Sequence, residues 1–520
     1  MTGESYEELI KSLCASDPRI RRSIINKPPP PAKVWKPWCR AKVRVLALQF
    51  GPDGSVSLPT EYTDASTLAA SLEQDTALAG HSSRSVYLLE GLSRDFVHVL
   101  GDHFQLHPSI FVDHERLTPL GDRQTGENGG LPFLPSAICG RDHVSLKYHE
   151  PLVLSQRPTG FRCLCDTSGR HVAVTRLMGE MSKVGISRRK CTFWSRTTDS
   201  GGWKCLIICD PPIRRILTDH TGRSGFDVVT SHFNSGYMDF MPLSNQIKAR
   251  SGPPRTSLVE DLLFYLRMHS DTLDLTHPKS LRIFVEKIIA SHFLKLAEFL
   301  QSNTEFVLWH LSRRRDLTPF GVATAEEIWS DVQSWKRRVA EYQDDLEGAM
   351  LQLGVQLTRS PDTSRIESWT DSAADFQHLL QRYHQIEKRV NELGSAINTL
   401  ASLAGNRVSF KTGELSLQEA ERAGREARSV KALTVLGIIF LPLSFTASIF
   451  SMADSYLPGN SLFWVYFALS IPLLGFVILV FSIIELGYMD GRTRWSPISG
   501  IENIRENLIR RKIRNRALTQ

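Results

Sequence analysis

Two uncharged apolar runs near the C-terminal end constrain this 520-residue chain more than any other feature. The first covers 432–452 (ALTVLGIIFLPLSFTASIFSM), the second covers 462–484, and the short segment 453–461 separates them. A helix rises about 1.5 Å per residue and the hydrocarbon core of a bilayer is about 30 Å thick, so each run is long enough to span a membrane. We therefore predict two transmembrane helices and an integral, multi-pass membrane protein.

The charges beside the two runs predict their orientation. The connecting segment, 453–461, contains no Lys or Arg and one carboxylate, Asp454. Basic residues flank the pair of runs on both sides: Arg422, Arg425, Arg428 and Lys431 before it, and Arg492, Arg494, Arg505, Arg510, Arg511, Lys512, Arg514 and Arg516 in the tail 485–520. The positive-inside rule then places both termini in the cytosol and the short loop outside, in a plasma membrane or an internal membrane.

Composition narrows the classes of function. The net charge is +7, and no stretch combines aromatic and basic residues as nucleic-acid-binding segments do, so we expect no nucleic-acid partner. All eight cysteines lie in the first 210 residues without a zinc-binding spacing, which indicates reduced, buried thiols in a cytosolic domain. No Ser/His/Asp or Cys/His arrangement appears in a motif context, so the chain is not predicted to be an enzyme and no catalytic residue is assigned.

One group of histidines and aspartates has two interpretations. His98 and Asp102 are four residues apart, a spacing that places metal ligands on one helix face. Pro108 interrupts the segment, so surface and packing roles are the alternative, and we assign no metal site. The whole group is His98, Asp102, His103, His107, Asp113 and His114.

The chain before the membrane runs divides into three parts. Residues 1–40 include the prolines 28–31 and are predicted to be flexible, either as an extended linker or as a docking motif for a proline-reading partner. Residues 41–256 read as a mixed α/β domain, with a short helix at 94–100 and a loop at 122–135. Its strand candidates are β-branched or apolar runs at 43–48, 85–89, 172–175 and 204–209.

Residues 257–431 are predicted to form a helical bundle and a stalk helix that leads to the membrane. Two long seams have heptad-like spacing, which fits an intramolecular bundle or a multi-chain one. Gly405 and Gly413 weaken the pattern over 404–417, so we expect the helix to be interrupted there and to resume at Gln418. The seam positions are Ile328, Val332, Trp335, Val339, Tyr342, Leu346 and Leu353, then Phe376, Leu379, Tyr383, Ile386, Val390, Leu393, Ile397, Leu400 and Leu403.

The first membrane run has a polar and small-residue stripe on one helix face. Its members follow one another at steps of three or four residues: Leu433, Gly437, Leu441, Ser444, Ser448 and Ser451. Small residues and hydroxyls on one face are typical of close helix–helix packing. They are also found in a pore lining, in which several copies of the span surround an axis. The two interpretations are compatible, because an oligomeric pore needs both.

The membrane end resembles the CorA-like magnesium transporter family, and within it the divergent members of filamentous fungi. The resemblance is strongest over the last 100 residues, and segments 88–114 and 193–212 also resemble cytosolic parts of those members. The motif that carries it consists of Lys431, Leu433, Thr434, Phe440, Pro442, Leu443, Ser444 and Phe445. The resemblance implies an α+β chain, with an N-terminal mixed α/β cytosolic domain, a long helical stalk and two C-terminal transmembrane helices.

The resemblance also implies a homopentamer whose first spans line a central pore and whose cytosolic domains sense magnesium. The family ends its first span with Gly-Met-Asn, but this chain has Ser451, Met452 and Ala453 there. An alanine methyl cannot hydrogen-bond the hydration shell of an ion, and Mg²⁺ sheds its waters reluctantly. Asp454 could instead attract cations outside the membrane, or it could be an ordinary solvated loop residue.

Two functions therefore remain open. The first is transport of divalent cations, Mg²⁺ or a similar ion, through an oligomeric channel in the lipid bilayer. The second is a non-conducting relative that serves as a membrane-anchored regulatory or scaffold protein. No cofactor is expected beyond a divalent cation as the transported or regulatory ion.

Overall fold

The computed structural model describes residues 5–26, 35–51, 53–77, 83–115, 134–177, 180–219, 222–229, 239–242, 252–253, 257–313, 322–357, 368–452 and 458–488. In chain order the helices are α1 (Tyr6–Ser16), α2 (Pro18–Arg22), α3 (Ala65–Ala77), α4 (Arg94–Phe104), α5 (Ser109–Glu115), α6 (Pro135–Cys139), α7 (Leu258–Met268), α8 (Arg282–Arg313), α9 (Val322–Leu353), α10 (Ser372–Phe450) and α11 (Trp464–Tyr488). The strands are β1 (Arg44–Phe50), β2 (Thr60–Tyr62), β3 (Arg84–Glu90), β4 (His143–Leu154), β5 (Cys163–Cys165), β6 (His171–Leu177), β7 (Glu180–Thr197), β8 (Trp203–Cys209), β9 (Arg215–Leu217) and β10 (Gly225–Val229).

The chain divides into two compact units, Met1–Gly405 and Asn406–Gln520. The first unit contains the described strands and the helices from α1 to the first part of α10. The second unit contains the rest of α10 and α11. The predicted fold class is therefore confirmed: a mixed α/β domain is followed by a long helix and two C-terminal apolar helices.

The described strands form one sheet in the order β2-β1-β3-β8-β7-β4-β10-β9-β5-β6. Strand β6 also pairs with β7, so the strands from β7 to β6 close into a ring. Strands β3 and β8 are parallel, with Val86 opposite Cys205, and the other pairs are antiparallel. Parallel neighbours need a long crossover, which explains why β3 and β8 lie far apart in the sequence.

The β1–β3–β8 part of the sheet is buried on both faces. Alternate residues of a strand point to opposite faces, so Val86 and Leu88 pack into one core while Tyr87 and Leu89 pack into another. The first core includes residues of α7, α8, α9 and α10, and the second includes residues of α1, α3, α4 and α5. Burial on both faces accounts for the nearly continuous apolar runs that predicted these strands.

The helical part follows the predicted seams. The seam residues of α9 from Ile328 to Leu346 are buried, and so are those of α10 from Phe376 to Ile397. Both sets pack into the same core as α8 and the sheet. Over this length, the seam residues therefore pack against other parts of the same chain. Leu403, at the end of the second seam, is exposed.

The prediction that residues 1–40 are flexible is wrong for the described part, 5–26 and 35–40. Ser5 and Glu8 form a capping box at the start of α1, and Tyr6 is buried with Ile10 against α4. Gly101 makes this packing possible, because a Cβ there would lie 2.2 Å from the Tyr6 ring. A local signal for α1 was present and was missed, because Tyr6, Leu9, Ile10 and Leu13 recur at helical spacing directly after the capping box. The prolines 28–31 lie outside the described residues.

The four predicted strands and the helix at 94–100 are confirmed, but six further strands among the described residues were not predicted. The longest of them is β7, which contains the basic run Arg188-Arg189-Lys190. Such a run normally marks a solvated surface, yet Arg189 is buried and donates to the carbonyl oxygen of Pro211 at 2.7 Å. The predicted loop at 122–135 lies almost entirely outside the described residues.

The predicted interruption at 404–417 is also wrong, because α10 continues from Ser372 to Phe450. A glycine in an exposed helix costs about 1 kcal/mol relative to alanine. Gly405 and Gly413 are eight residues apart, so no single helical turn contains both and the helix tolerates each of them.

Candidate functional site

Within the described part of the chain, two helices are long and apolar enough to cross a membrane. They are the last part of α10, which we call span 1, and Trp464–Ile484 of α11, which we call span 2. Only 6% of each apolar window is buried inside the chain. The two predicted runs are thus helical, except that Ser451 and Met452 form a turn after span 1, and Leu462 and Phe463 precede span 2.

Span 1 and span 2 contact each other through one face. Tyr466 of span 2 donates its hydroxyl to the carbonyl oxygen of Leu443 at 3.4 Å and packs edge-on against Phe450. Thr446 in span 1 is only 1% exposed, and Ser470 in span 2 is 0% exposed. These residues define the face of span 1 that is covered by span 2.

The polar and small-residue stripe lies on the other side of span 1. At about 100° per residue, Ser444 and Thr446 are about 200° apart around the helix. Leu433 and Leu441 are 73% and 71% exposed, and Ser444, Ser448 and Ser451 are exposed as well. Gly437 is half-buried, but a Cβ built on it would meet nothing within 4 Å. All six stripe residues are therefore open to a neighbour or to water.

The family-motif positions are described only in part. Ser451 keeps a backbone hydrogen bond to the carbonyl oxygen of Ala447 at 2.9 Å, so the helical path continues to this residue. Met452 is 89% exposed. Ala453 and Asp454 lie outside the described residues, and so do the basic residues of the tail from Arg492 onward. Of the basic residues before span 1, Arg422, Arg425, Arg428 and Lys431 are exposed on α10.

The histidine and aspartate group of the α/β domain is distributed among separate contacts. Asp113 pairs with Arg141 at 2.5 Å and with His143 at 3.1 Å. His107 Nδ1 lies 2.8 Å from Ser109 Oγ, and His98 packs edge-on against Tyr6. Among the described residues, no three His, Cys, Asp or Glu side chains are placed to hold one metal ion. This group therefore supplies packing and ion pairs within the described part of the domain.

The described cysteines are mostly core residues. Cys163, Cys165, Cys191, Cys205 and Cys209 are buried with free thiols, whereas Cys14 is half-buried and Cys39 is exposed. Burial raises the pKa of the Cys163 and Cys205 thiols, which keeps them protonated and unreactive. These five cysteines lie inside the strands β5, β7 and β8, where their spacing follows the packing of the core. This explains why they do not have the spacing of zinc ligands.

A polar contact that sequence reasoning missed links the sheet to the helical part of the first unit. His149 Nε2 of β4 lies 2.6 Å from Asp345 Oδ2 of α9, and Lys147 Nζ lies 2.7 Å from the same oxygen. Burial lowers the pKa of His149, so the imidazole is neutral at pH 7 and its N–H donates to Asp345. His149 and Asp345 are 196 residues apart, and neither lies in a recognisable motif.

Thr446, Tyr466 and Ser470 are the functional candidates of the membrane part that were not predicted from the sequence. Thr446 and Ser470 look like isolated hydroxyls in apolar runs, and Tyr466 looks like a membrane-interface aromatic. The available signal was Pro442, because a proline inside a membrane helix removes one backbone hydrogen bond and requires compensating polar groups nearby.

Comparison with known proteins agrees with this architecture. The described fold and its two apolar helices define an integral membrane protein with two spans. Residues 317–486 match the family model for the CorA-like Mg²⁺ transporter protein. This match agrees with the resemblance that the motif around Pro442 indicated, and it covers less than half of the chain. No curated protein matches the chain.

Two solved structures resemble the chain over most of its length. The CorA magnesium transporter from Methanocaldococcus jannaschii is 10% identical, with a TM-score of 0.31, over 87% of this chain and 98% of that chain. The full-length CmaX protein is 12% identical, with a TM-score of 0.31, over 85% of this chain and 97% of that chain.

Proposed function

We propose that this protein transports divalent cations, Mg²⁺ or a similar ion, through a pore formed by several copies of span 1. The observation that supports the proposal most directly is the orientation of the stripe. Span 2 covers the Thr446 face of span 1 and leaves Ser444 and Ser448 open on the opposite side. A pore lined by hydroxyls and small residues requires this arrangement, with the second span outside the first.

A second observation supports an oligomer. Residues 406–430 of α10 are exposed around nearly the whole helix, including Phe410 at 81% and Leu417 at 65%. These two residues are seven apart, so they lie on one face, as in a multi-chain helical bundle. An isolated helix in water gains little stability, so packing against equivalent helices would stabilise this segment. The match to residues 317–486 favours the homopentamer that the family resemblance implies.

The outer end of the pore differs from that of the family, and we assign its charge to Asp454. A ring of such carboxylates, one from each copy, would raise the local concentration of divalent cations. Ser451 would contribute hydroxyls to the same mouth, while Ala453 could offer only its carbonyl. The cytosolic basic residues from Arg422 to Lys431 would keep both termini on the cytosolic side.

The proposal is tested by flux into liposomes that contain a magnesium-sensitive dye, under an inward potential. The native protein should carry Mg²⁺, whereas Ser444→Leu should slow the flux at least about tenfold, since a rise of about 1.4 kcal/mol in the barrier has this effect. Phe445→Leu is the matched control, because it introduces the same side chain at the adjacent exposed position, about 100° around the helix.

One observation favours a second function, a non-conducting regulatory or scaffold protein. The asparagine and the glycine of the family motif are replaced by Ala453 and Ser451. If neither the native protein nor the Phe445→Leu control carries Mg²⁺, Ni²⁺ or Co²⁺, the transporter proposal is refuted. In that case the double variant Ser451→Gly with Ala453→Asn restores the family motif. If this variant carries Mg²⁺, the missing flux of the native protein is caused by its altered outer mouth.

A further inference from the structure

The hydrogen-bond pattern of span 1 lacks one donor at Pro442, which lies inside the continuous helix α10. Proline has no backbone N–H, so the carbonyl oxygen of Ile438, four residues earlier, loses its helical partner. In the hydrocarbon core of a bilayer, an unpaired backbone carbonyl is costly, and nearby hydroxyls from the same helix or a neighbour normally compensate. The hydrogen-bonding groups around Pro442 therefore determine the conformation of the helix at this residue.

Thr446 supplies the first of these groups. Its Oγ1 lies 3.0 Å from the carbonyl oxygens of both Pro442 and Leu443, and it is 1% exposed. One hydroxyl proton is thus shared between two carbonyls of the interrupted turn. A threonine that bonds back to its own helix in this way tends to bend the helix.

Span 2 supplies the second group. The Tyr466 hydroxyl donates to the same Leu443 carbonyl at 3.4 Å. The tyrosine ring is held by Phe450, with centroids 6.3 Å apart at 89°, and by Phe463, which stacks on it at 6.3 Å. The Leu443 carbonyl is therefore bound from both helices, directly after the proline.

A third hydroxyl lies further along span 2. Ser470 is 0% exposed, and its Oγ has no hydrogen-bond partner among the described residues. The spans are antiparallel neighbours, and the contact of Tyr466 with Leu443 sets their register. Ser470, four residues beyond Tyr466, therefore lies on the Ile438 side of the contact between Tyr466 and Leu443. It offers a buried hydroxyl on the side where Pro442 removes the helical hydrogen bond to Ile438.

We propose that Thr446 and Tyr466 are positioning residues, which hold the interrupted turn at Pro442 in one conformation. Release of the Leu443 carbonyl lets the outer turns of span 1 move relative to its inner part, and Ser470 then stabilises the alternative conformation by donating to Ile438. The outer turns carry Ser444, Ser448 and Ser451, so the movement changes the width of the outer half of the pore. The change in pore width rests on the proposed function, whereas the movement of the outer turns does not.

The test measures movement directly and needs no transport. A spin label is attached at Ser451→Cys, beyond the hinge, or at Leu433→Cys, before it, in the full-length chain in liposomes. Cys14, Cys39 and Cys139 are replaced by serine, and the other five cysteines are buried. Tyr466→Phe and Thr446→Val each remove one hydroxyl with little change in shape. Thr446→Ser restores the hydroxyl, and Thr434→Val removes an equivalent bond, to Val430 at 2.8 Å, on the inner side.

Tyr466→Phe and Thr446→Val should shift the ratio of mobile to immobile label at position 451 roughly threefold, the effect of one intramembrane hydrogen bond. The label at 433 should not change, and Thr446→Ser and Thr434→Val should match the native chain. Equal changes at 433 and 451 would indicate general loosening and overturn the inference. Unchanged spectra at 451 in folded variants would overturn it as well.

The same variants separate this inference from the proposed function. A label shift at 451 in a protein without Mg²⁺ flux would refute transport and keep the hinge. Mg²⁺ flux with no label shift would refute the hinge and keep transport. In a conducting protein, Tyr466→Phe should change the fraction of time that single channels are open and leave their conductance unchanged, whereas Ser444→Leu should reduce the conductance.

Discussion

His114 shows how the pKa of a single residue in the α/β domain depends on its burial and on the charged groups beside it. Its Nδ1 lies 3.1 Å from Thr192 Oγ1, and its Nε2 lies 3.2 Å from Asp210 Oδ1. Burial lowers the pKa of His114 to about 4, although Asp210 acts in the opposite direction. Burial alone would raise the pKa of Asp210, but Arg170, at 2.7 Å, and His114 hold it well below the usual range. At pH 7 the pair is a neutral imidazole and a carboxylate.

This arrangement predicts acid sensitivity of the fold. In the unfolded chain His114 has a pKa of about 6.5, so between pH 6.5 and pH 4 the unfolded state binds more protons than the folded state. The contribution of neutral His114 to the free energy of unfolding is therefore fully present above pH 6.5. It is lost as the pH falls to 4, and the free energy of unfolding falls by roughly 3 kcal/mol. Melting temperatures of the full chain in detergent should fall over this range. His114→Gln should make the decrease shallower, and a melting temperature that does not change with pH would contradict the assignment.

At the scale of elements, α10 shows that a helix can continue through glycine residues without a break. Gly405 and Gly413 have open surroundings, because a Cβ at either position would meet nothing within 4 Å. Gly101 in α4 is the opposite case, since its missing side chain makes room for the ring of Tyr6. The same residue type is therefore a weak point in one helix and a packing requirement in another.

Alanine substitutions at these glycines should have opposite effects. Gly413→Ala should stabilise α10 locally by about 0.5–1 kcal/mol, because alanine restricts the unfolded chain and fits the open surface. The expected observation is slower hydrogen–deuterium exchange over 406–430. Gly101→Ala, the control, should lower the melting temperature of the chain, since its Cβ would overlap Tyr6. Unchanged exchange in Gly413→Ala would show that glycine does not limit the stability of this helix.

At the scale of the whole molecule, the proposed oligomer needs a contact face, and the exposed apolar residues Phe410 and Leu417 of α10 supply a candidate. Phe410→Glu should place a charge on the proposed contact face and reduce the oligomer measured by light scattering in detergent. Lys411→Glu is the control, because it also introduces a glutamate at an exposed position but about 100° around the helix. A native chain that is a clean monomer would remove both the oligomer and the pore, and equal effects of the two variants would exclude a specific Phe410 face.

Much of the architecture was predictable because its signals are local. Helical spacing predicted the buried faces of α9 and α10, and apolar content with basic flanks predicted two spans. The motif around Pro442 predicted the resemblance that the family model matches over residues 317–486, and the stripe from Leu433 to Ser451 was predicted as one face. Strand β7 was not predicted, because its basic residue Arg189 becomes buried only through partners elsewhere in the chain. Helix α1 was missed although its spacing of apolar residues and its capping box are local signals.

The sequence by itself therefore determined the membrane spans, the helical seams and the composition of the stripe. These depend on the spacing of apolar residues and on the free energy of transferring them out of water, both of which are properties of short segments. The tertiary structure decided which side of span 1 is covered, that His149 meets Asp345, and that the Tyr466 hydroxyl reaches the Leu443 carbonyl. Those outcomes depend on distances between residues far apart in the chain, and no local pattern records them.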